Sequence, residues 1–131
     1  YGKHIGGGAR QEVANGFNTA IKFGLPILDN CELEKTNSSE KQRILLNTLL
    51  MLMGNNNDTN IIYRSNIEVL EKLKSLAIKT FYSSTEVDNK YNYRNLEAFC
   101  LENNISPGGS ADLLAISIFL HFIKKTYPHD Y

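Results

Sequence analysis

A chain of 131 residues with 14 lysines and arginines against 14 aspartates and glutamates has no formal net charge, and 42% of it is hydrophobic. At that length one compact soluble domain buries roughly two-thirds of the surface its unfolded chain exposes, so a core forms without disulfides or a structural metal. The neutral balance argues against nucleic acid as a partner, because non-specific affinity for a polyanion comes from clustered Lys and Arg. The longest apolar stretch, 113–123, is interrupted by Ser117 and His121 and falls short of the roughly 20 residues a membrane-spanning helix needs. Cys31 and Cys100 match neither a CxxC metal pattern nor a disulfide-dense scaffold, which fits a reducing cytoplasm.

The chain opens on Tyr1, runs at once into Gly6-Gly7-Gly8, and reads as a segment of a longer protein. The punctuation then predicts about five helices and no sustained period-two alternation, hence an all-α fold, a compact bundle. The first helix starts near Gly8 or Ala9, carries Arg10, Ala14, Phe17 and Ile21 on one stripe, and stops before Gly24 and Pro26. The second follows a Ser39-x-x-Gln42 capping pattern, is apolar nearly all round through Met53, and is therefore expected at the centre of the core.

The third helix takes Asn66 as its cap and buries Val69, Leu70, Leu73, Leu76 and Ala77, while Glu68, Glu71, Lys72 and Lys74 form a solvated face. Residues 83–89 read as a polar connection, and 91–101 as a fourth helix ended by Asn103-Asn104. The fifth is capped by the Ser106-Pro107-Gly108-Gly109-Ser110 turn and runs from Ala111. Its Asp112, Ile116, Phe119 and Ile123 share one stripe, which points the carboxylate toward the core. His121 on that helix is assigned a packing or helix-end role and no part in catalysis.

Three polar clusters, at 6–12, 58–64 and 106–112, fall at helix ends. Each has a plain reading as turn chemistry, capping or a snorkelling arginine. Together they also suit a phosphate and cation site, because free N–H groups at a helix start attract anions, glycine admits a ligand close to the backbone, and arginine grips phosphate with a planar fork of donors. The residues alone leave both readings open, and no reaction is legible from the spacing.

The motifs Gly8-Ala9-Arg10-Gln11-Glu12 with Gly16-Phe17 and Leu25-Pro26, Asp58-Thr59-Asn60 with Arg64, and Ser106-Pro107-Gly108-Gly109-Ser110-Ala111-Asp112-Leu113-Leu114 resemble, in order and separation, the triphosphoribosyl-dephospho-CoA synthase family. The likeness runs through nearly the whole chain. It departs at Gln11, where the family usually has glycine, and at Ser65-Asn66, where it usually has a glycine pair.

The resemblance implies that residues 1–131 are the C-terminal portion of a single all-α synthase domain, part of a larger all-helical enzyme whose N-terminal half lies outside this chain and without which the segment is inactive. It implies transfer of the 5-triphosphoribosyl unit of ATP to a ribose hydroxyl of dephospho-CoA with release of adenine. The product is the prosthetic-group precursor for the acyl carrier protein of citrate lyase or malonate decarboxylase. On this reading Arg10, Arg64, Gly108, Gly109 and Ser110 bind the phosphates of ATP. Asp58, Asn60 and Asp112 hold Mg²⁺, with Asp112 and Glu12 as the catalytic carboxylates, Glu12 acting on the attacking hydroxyl or on the oxocarbenium-like centre. The competing readings are a related ATP-dependent glycosyl transferase with another acceptor, and a non-catalytic helical nucleotide-binding module.

Overall fold

A computed structural model describes residues 16, 18–57, 66–105 and 108–126, and every regular element among them is helical. The order is a π-helical turn (Ala20–Gly24), α1 (Leu25–Asp29), a 3₁₀ turn (Leu33–Lys35), α2 (Ser38–Asn55), α3 (Ile67–Phe81), α4 (Glu86–Glu102) and α5 (Gly108–Thr126).

The first helix does not stop ahead of Gly24 and Pro26. Proline has no N–H to bond the carbonyl four residues back, and in a continuous α-helix its ring would collide with that carbonyl. The chain absorbs it with a wider turn, in which the Leu25 N–H reaches Ala20 O five residues back, and restarts as α1 with Pro26 in its opening positions, where proline is tolerated. At the junction the backbone packs hard against α5: a Cβ on Gly24 would run into Ser117 Oγ and lie 3.0 Å from Ser117 Cβ.

The cap of α2 is Asn37, whose side chain accepts from Glu40 N at 2.9 Å, two residues before the Ser39 cap expected from sequence. Asn37-x-x-Glu40 and Ser39-x-x-Gln42 are overlapping signals of the same kind, and the earlier one is used. For α3 the cap is Asn66, as expected, accepting from Val69 N at 2.8 Å. Helix α4 starts at Glu86, five residues early, because Thr85 accepts from Asp88 N and the acidic Glu86 and Asp88 sit at the favourable end of the helix dipole. Its far end closes with Asn104 in the left-handed region, Ile105 N–H on Cys100 O and Asn104 N–H on Leu101 O, the double bond pattern that stops helices sharply.

Helix α2 lies at the centre. On one side Leu50 and Met53 join Leu70, Leu73 and Ala77 of α3 and Leu96 of α4 in the main core. On the other, Thr48 and Leu52 are buried in the part of the bundle that also buries Ala20, Leu28 and Ser117. The buried hydroxyls of Thr48, Thr80 and Ser117 each donate to the carbonyl four residues back, and no buried side-chain polar atom among the described residues lacks a partner.

Helix α5 is turned relative to its predicted orientation. Its buried residues are Ser110, Leu113, Ser117 and His121, whereas Asp112 is exposed and Phe119 is 60% exposed. The expectation of a core-facing Asp112 is therefore corrected. A helix apolar on almost every side offers several stripes at helical spacing, and the small Ser110 and Ser117 permit the closest approach of neighbouring backbone.

Candidate functional site

The geometry that bears on the three polar clusters is gathered at the first two turns of α5. Asn56, just past the end of α2, donates from Nδ2 to the buried Ser110 Oγ at 3.4 Å. A Cβ on Gly16 would lie 3.2 Å from Leu113 Cδ2, so Gly16 lies against the same stretch of α5. Gly16, Asn56 and the opening turns of α5 thus lie at one end of the described bundle.

Gly108, Gly109 and Ser110 form the opening turn of α5, rather than a turn before it. The first N–H groups of a helix have no acceptor within it and carry the positive end of its dipole. That turn itself holds no acidic residue. Asp112 follows directly, exposed and without a hydrogen bond or ion pair among the described residues. An uncommitted carboxylate beside a cluster of backbone donors is a hard oxygen ligand of the type Mg²⁺ shares with phosphate and water. Arg10, Glu12, Asp58, Asn60 and Arg64 lie outside the described residues.

Sequence reasoning missed the contacts made by the asparagines after α2. The run Asn55-Asn56-Asn57 looks like a helix terminator, yet its three side chains make three different contacts. Asn55 bonds Met51 O, Asn56 reaches Ser110, and Asn57 Oδ1 accepts from Lys74 Nζ at 2.7 Å. Lys74 itself falls on the face of α3 that the charge pattern assigns to solvent.

A second polar group sits at the other end of α5, about 16 Å along the helix from Ser110 at 1.5 Å per residue. Here the buried His121 lies with Nδ1 2.8 Å from Asp29 Oδ1 and Nε2 2.9 Å from Glu34 Oε1. Lys124 pairs with the remaining oxygen of Asp29, and Lys125 with that of Glu34. This is the packing role expected of His121, in a network that clasps the 29–34 connection to the end of α5.

Known proteins match this chain along nearly its whole length. The profile of CitG, ATP:dephospho-CoA triphosphoribosyl transferase, matches residues 3–130. The chain belongs to the CitG family. Among curated CitG relatives, a probable 2-(5''-triphosphoribosyl)-3'-dephosphocoenzyme-A synthase of Malonomonas rubra is 35% identical over 95% of this chain and 39% of its own length. A protein of the same description from Albidiferax ferrireducens is 39% identical over 92% of the chain and 39% of its own length. The 2-(5''-triphosphoribosyl)-3'-dephosphocoenzyme-A synthase of Escherichia fergusonii is 38% identical over 89% and 39%. The chain thus spans about 39% of the length of these CitG relatives. No solved structure matches it.

Proposed function

We propose that this chain is the C-terminal portion of a triphosphoribosyl-dephospho-CoA synthase, and that the end of the bundle around the start of α5 is where the triphosphate of ATP is held. The observation that carries the reading is the CitG match across residues 3–130, the span in which all three polar clusters fall. The Asn56–Ser110 bond and the Gly16–Leu113 contact near the start of α5 support it, since these residues lie within the third cluster or a few positions along the chain from the other two.

In the proposed reaction the bond between adenine and the ribose anomeric carbon breaks, a hydroxyl of dephospho-CoA forms a new bond to that carbon, and adenine leaves while the triphosphate stays intact. This is glycosyl transfer. The work of the protein is to fix a highly charged tail and to stabilise positive charge developing on the sugar. The backbone donors of Gly108, Gly109 and Ser110 hold phosphate oxygens at the helix start, and Arg10 and Arg64 add planar charged forks. Asp58, Asn60 and Asp112 are the residues that would hold Mg²⁺, which when bound neutralises charge on the triphosphate. Glu12 takes the proton of the attacking hydroxyl.

The remaining part of the same enzyme, with the dephospho-CoA acceptor and the acyl carrier protein that receives the product, completes the proposed set of partners in the cytoplasm. The test is chromatographic measurement of adenine released from ATP with and without dephospho-CoA, on the complete enzyme that carries this chain. Release that requires the acceptor is the expected result, and Asp112→Asn is expected to slow it about 100-fold or more, the scale on which a single preorganised polar group acts. Release from ATP with another acceptor only would favour the related-transferase reading. ATP binding without release would favour a non-catalytic module.

A further inference from the structure

Helix α5 is apolar even on the side it turns away from the core. Between Ala111 and Ile123 its only charged residue is Asp112, and the only other polar side chains, Ser117 and His121, are buried. Ala111, Ala115, Phe119 and Phe122 recur at i, i+4, i+8 and i+11, which places them on one stripe, and all four are exposed, Phe119 by 60% and Phe122 by 45%. Lys124 and Lys125, which follow, are paired with Asp29 and Glu34. Helix α3 shows what an ordinary surface helix of this bundle looks like: apart from Ile67 at its start, its exposed residues are Glu68, Glu71, Lys72, Ser75 and Lys79.

A helix apolar on every side belongs in an interior, and a contiguous exposed stripe with aromatic rings marks a surface that another part covers. The CitG relatives indicate which part. This chain spans about 39% of their length, so the greater part of such a protein lies outside it and has to pack against it somewhere. The stripe also adjoins the proposed site, because the exposed Asp112 flanks it at its first turn, beside Ala111. Glycosyl transfer needs the acceptor hydroxyl held against the bound donor, which a body packed along α5 up to that turn is placed to do.

We infer that the Ala111, Ala115, Phe119 and Phe122 stripe of α5 is the surface on which the rest of the synthase, the part outside residues 1–131, packs through an apolar face of its own; this rests on the function proposed above. Phe119 and Phe122 are the anchors, since large rings carry most of the apolar area of such a contact. Ala111 and Ala115, having almost no side chain, let the neighbouring backbone come close. The stripe stabilises the assembled enzyme and not the fold of this portion.

The experiment is photo-cross-linking in the complete enzyme, with p-benzoylphenylalanine in place of Phe119 or of Phe122 and the attached peptide identified by mass spectrometry. A peptide from outside residues 1–131 is the expected product. Attachment to residues 1–131, in the same molecule or in a second copy, overturns the inference, and so does the absence of any attachment from both positions. Ala115→Cys checks the same stripe without a bulky probe, by maleimide labelling read peptide by peptide and taken relative to the rate in urea. It is expected to react roughly tenfold or more slowly than Ser75→Cys on the solvated face of α3, because a thiol in a packed interface meets reagent only when the interface opens. Equal rates overturn the inference. Adenine release by the unaltered enzyme keeps the two proposals apart: release with an open stripe overturns the interface alone, whereas a covered stripe without release overturns the synthase reading and leaves the interface.

Discussion

His121 presents both ring nitrogens to carboxylate oxygens, Nδ1 to Asp29 and Nε2 to Glu34. Both carboxyls are held below their ordinary values. For Glu34 the Lys125 ammonium, its own backbone N–H and His121 bring the carboxyl from 4.5 down to about 2. For Asp29 partial burial acts in the opposite direction, but hydrogen bonds from Lys124 and His121 outweigh it and hold the group below its ordinary 3.8. A carboxyl whose value is lower in the folded state stabilises the fold fully above its unfolded value and loses that contribution as pH falls toward the folded one. Urea-unfolding midpoints are therefore expected to hold steady above pH 4.5 and to fall from there to about pH 2, and Glu34→Gln should flatten part of that limb. An unchanged acid limb in Glu34→Gln would show that the clasp adds nothing to stability. The sequence disclosed only a packing or helix-end role for His121; its partners, 92 and 87 positions away, are brought to it by the chain path through α1 and the 3₁₀ turn. Cys100 belongs to packing as well, its thiol pushed up by burial and by the nearby Glu97.

At the scale of elements, α5 is the helix whose presence was most legible and whose orientation was least so. Glycines, a turn and a long apolar run announce it, but residues 113–123 are apolar on nearly every side, so spacing alone cannot choose among rival stripes. Packing decides, through Leu113, Ser117 and His121, and through the contact of Gly24 with Ser117. Leu113→Ala is accordingly expected to destabilise the fold by about 2–4 kcal/mol, whereas Phe119→Ser should change it by no more than about 0.5 kcal/mol, checked by urea unfolding. Equal losses at both positions would mean that the helix is turned the other way. The caps divide along similar lines. Asn66 was read as the cap although Ser65-x-x-Glu68 offers a rival signal beside it, Asn37 was missed because Ser39 offers the same signal two residues later, and the start of α4 was hidden in a polar run without hydrophobic periodicity.

For the whole molecule, α2 is the beam on which the rest is arranged: α3 and α4 close one side, and α1, the π-helical turn and α5 the other. This follows from a helix with apolar residues nearly all round, and the sequence supported it directly. The same layout brings the exit of α2 to the entrance of α5, which no local pattern could reveal, because Asn56 and Ser110 are 54 residues apart. The clusters themselves were legible as residue types suited to phosphate and cation, and their order pointed to the CitG family, to which the chain belongs. The described contacts nearest to them in the chain are tertiary: a weak asparagine–serine tether and a glycine against Leu113.

The central claim is that the three clusters make one site for a triphosphate, and the affinity of the chain for ATP in competition with inorganic tripolyphosphate tests it most directly. Tripolyphosphate is expected to displace ATP, and Arg10→Ala, Arg64→Ala and Asp112→Asn are each expected to weaken ATP binding by about tenfold or more. ATP binding that tripolyphosphate does not disturb, or that survives all three substitutions unchanged, would contradict the claim.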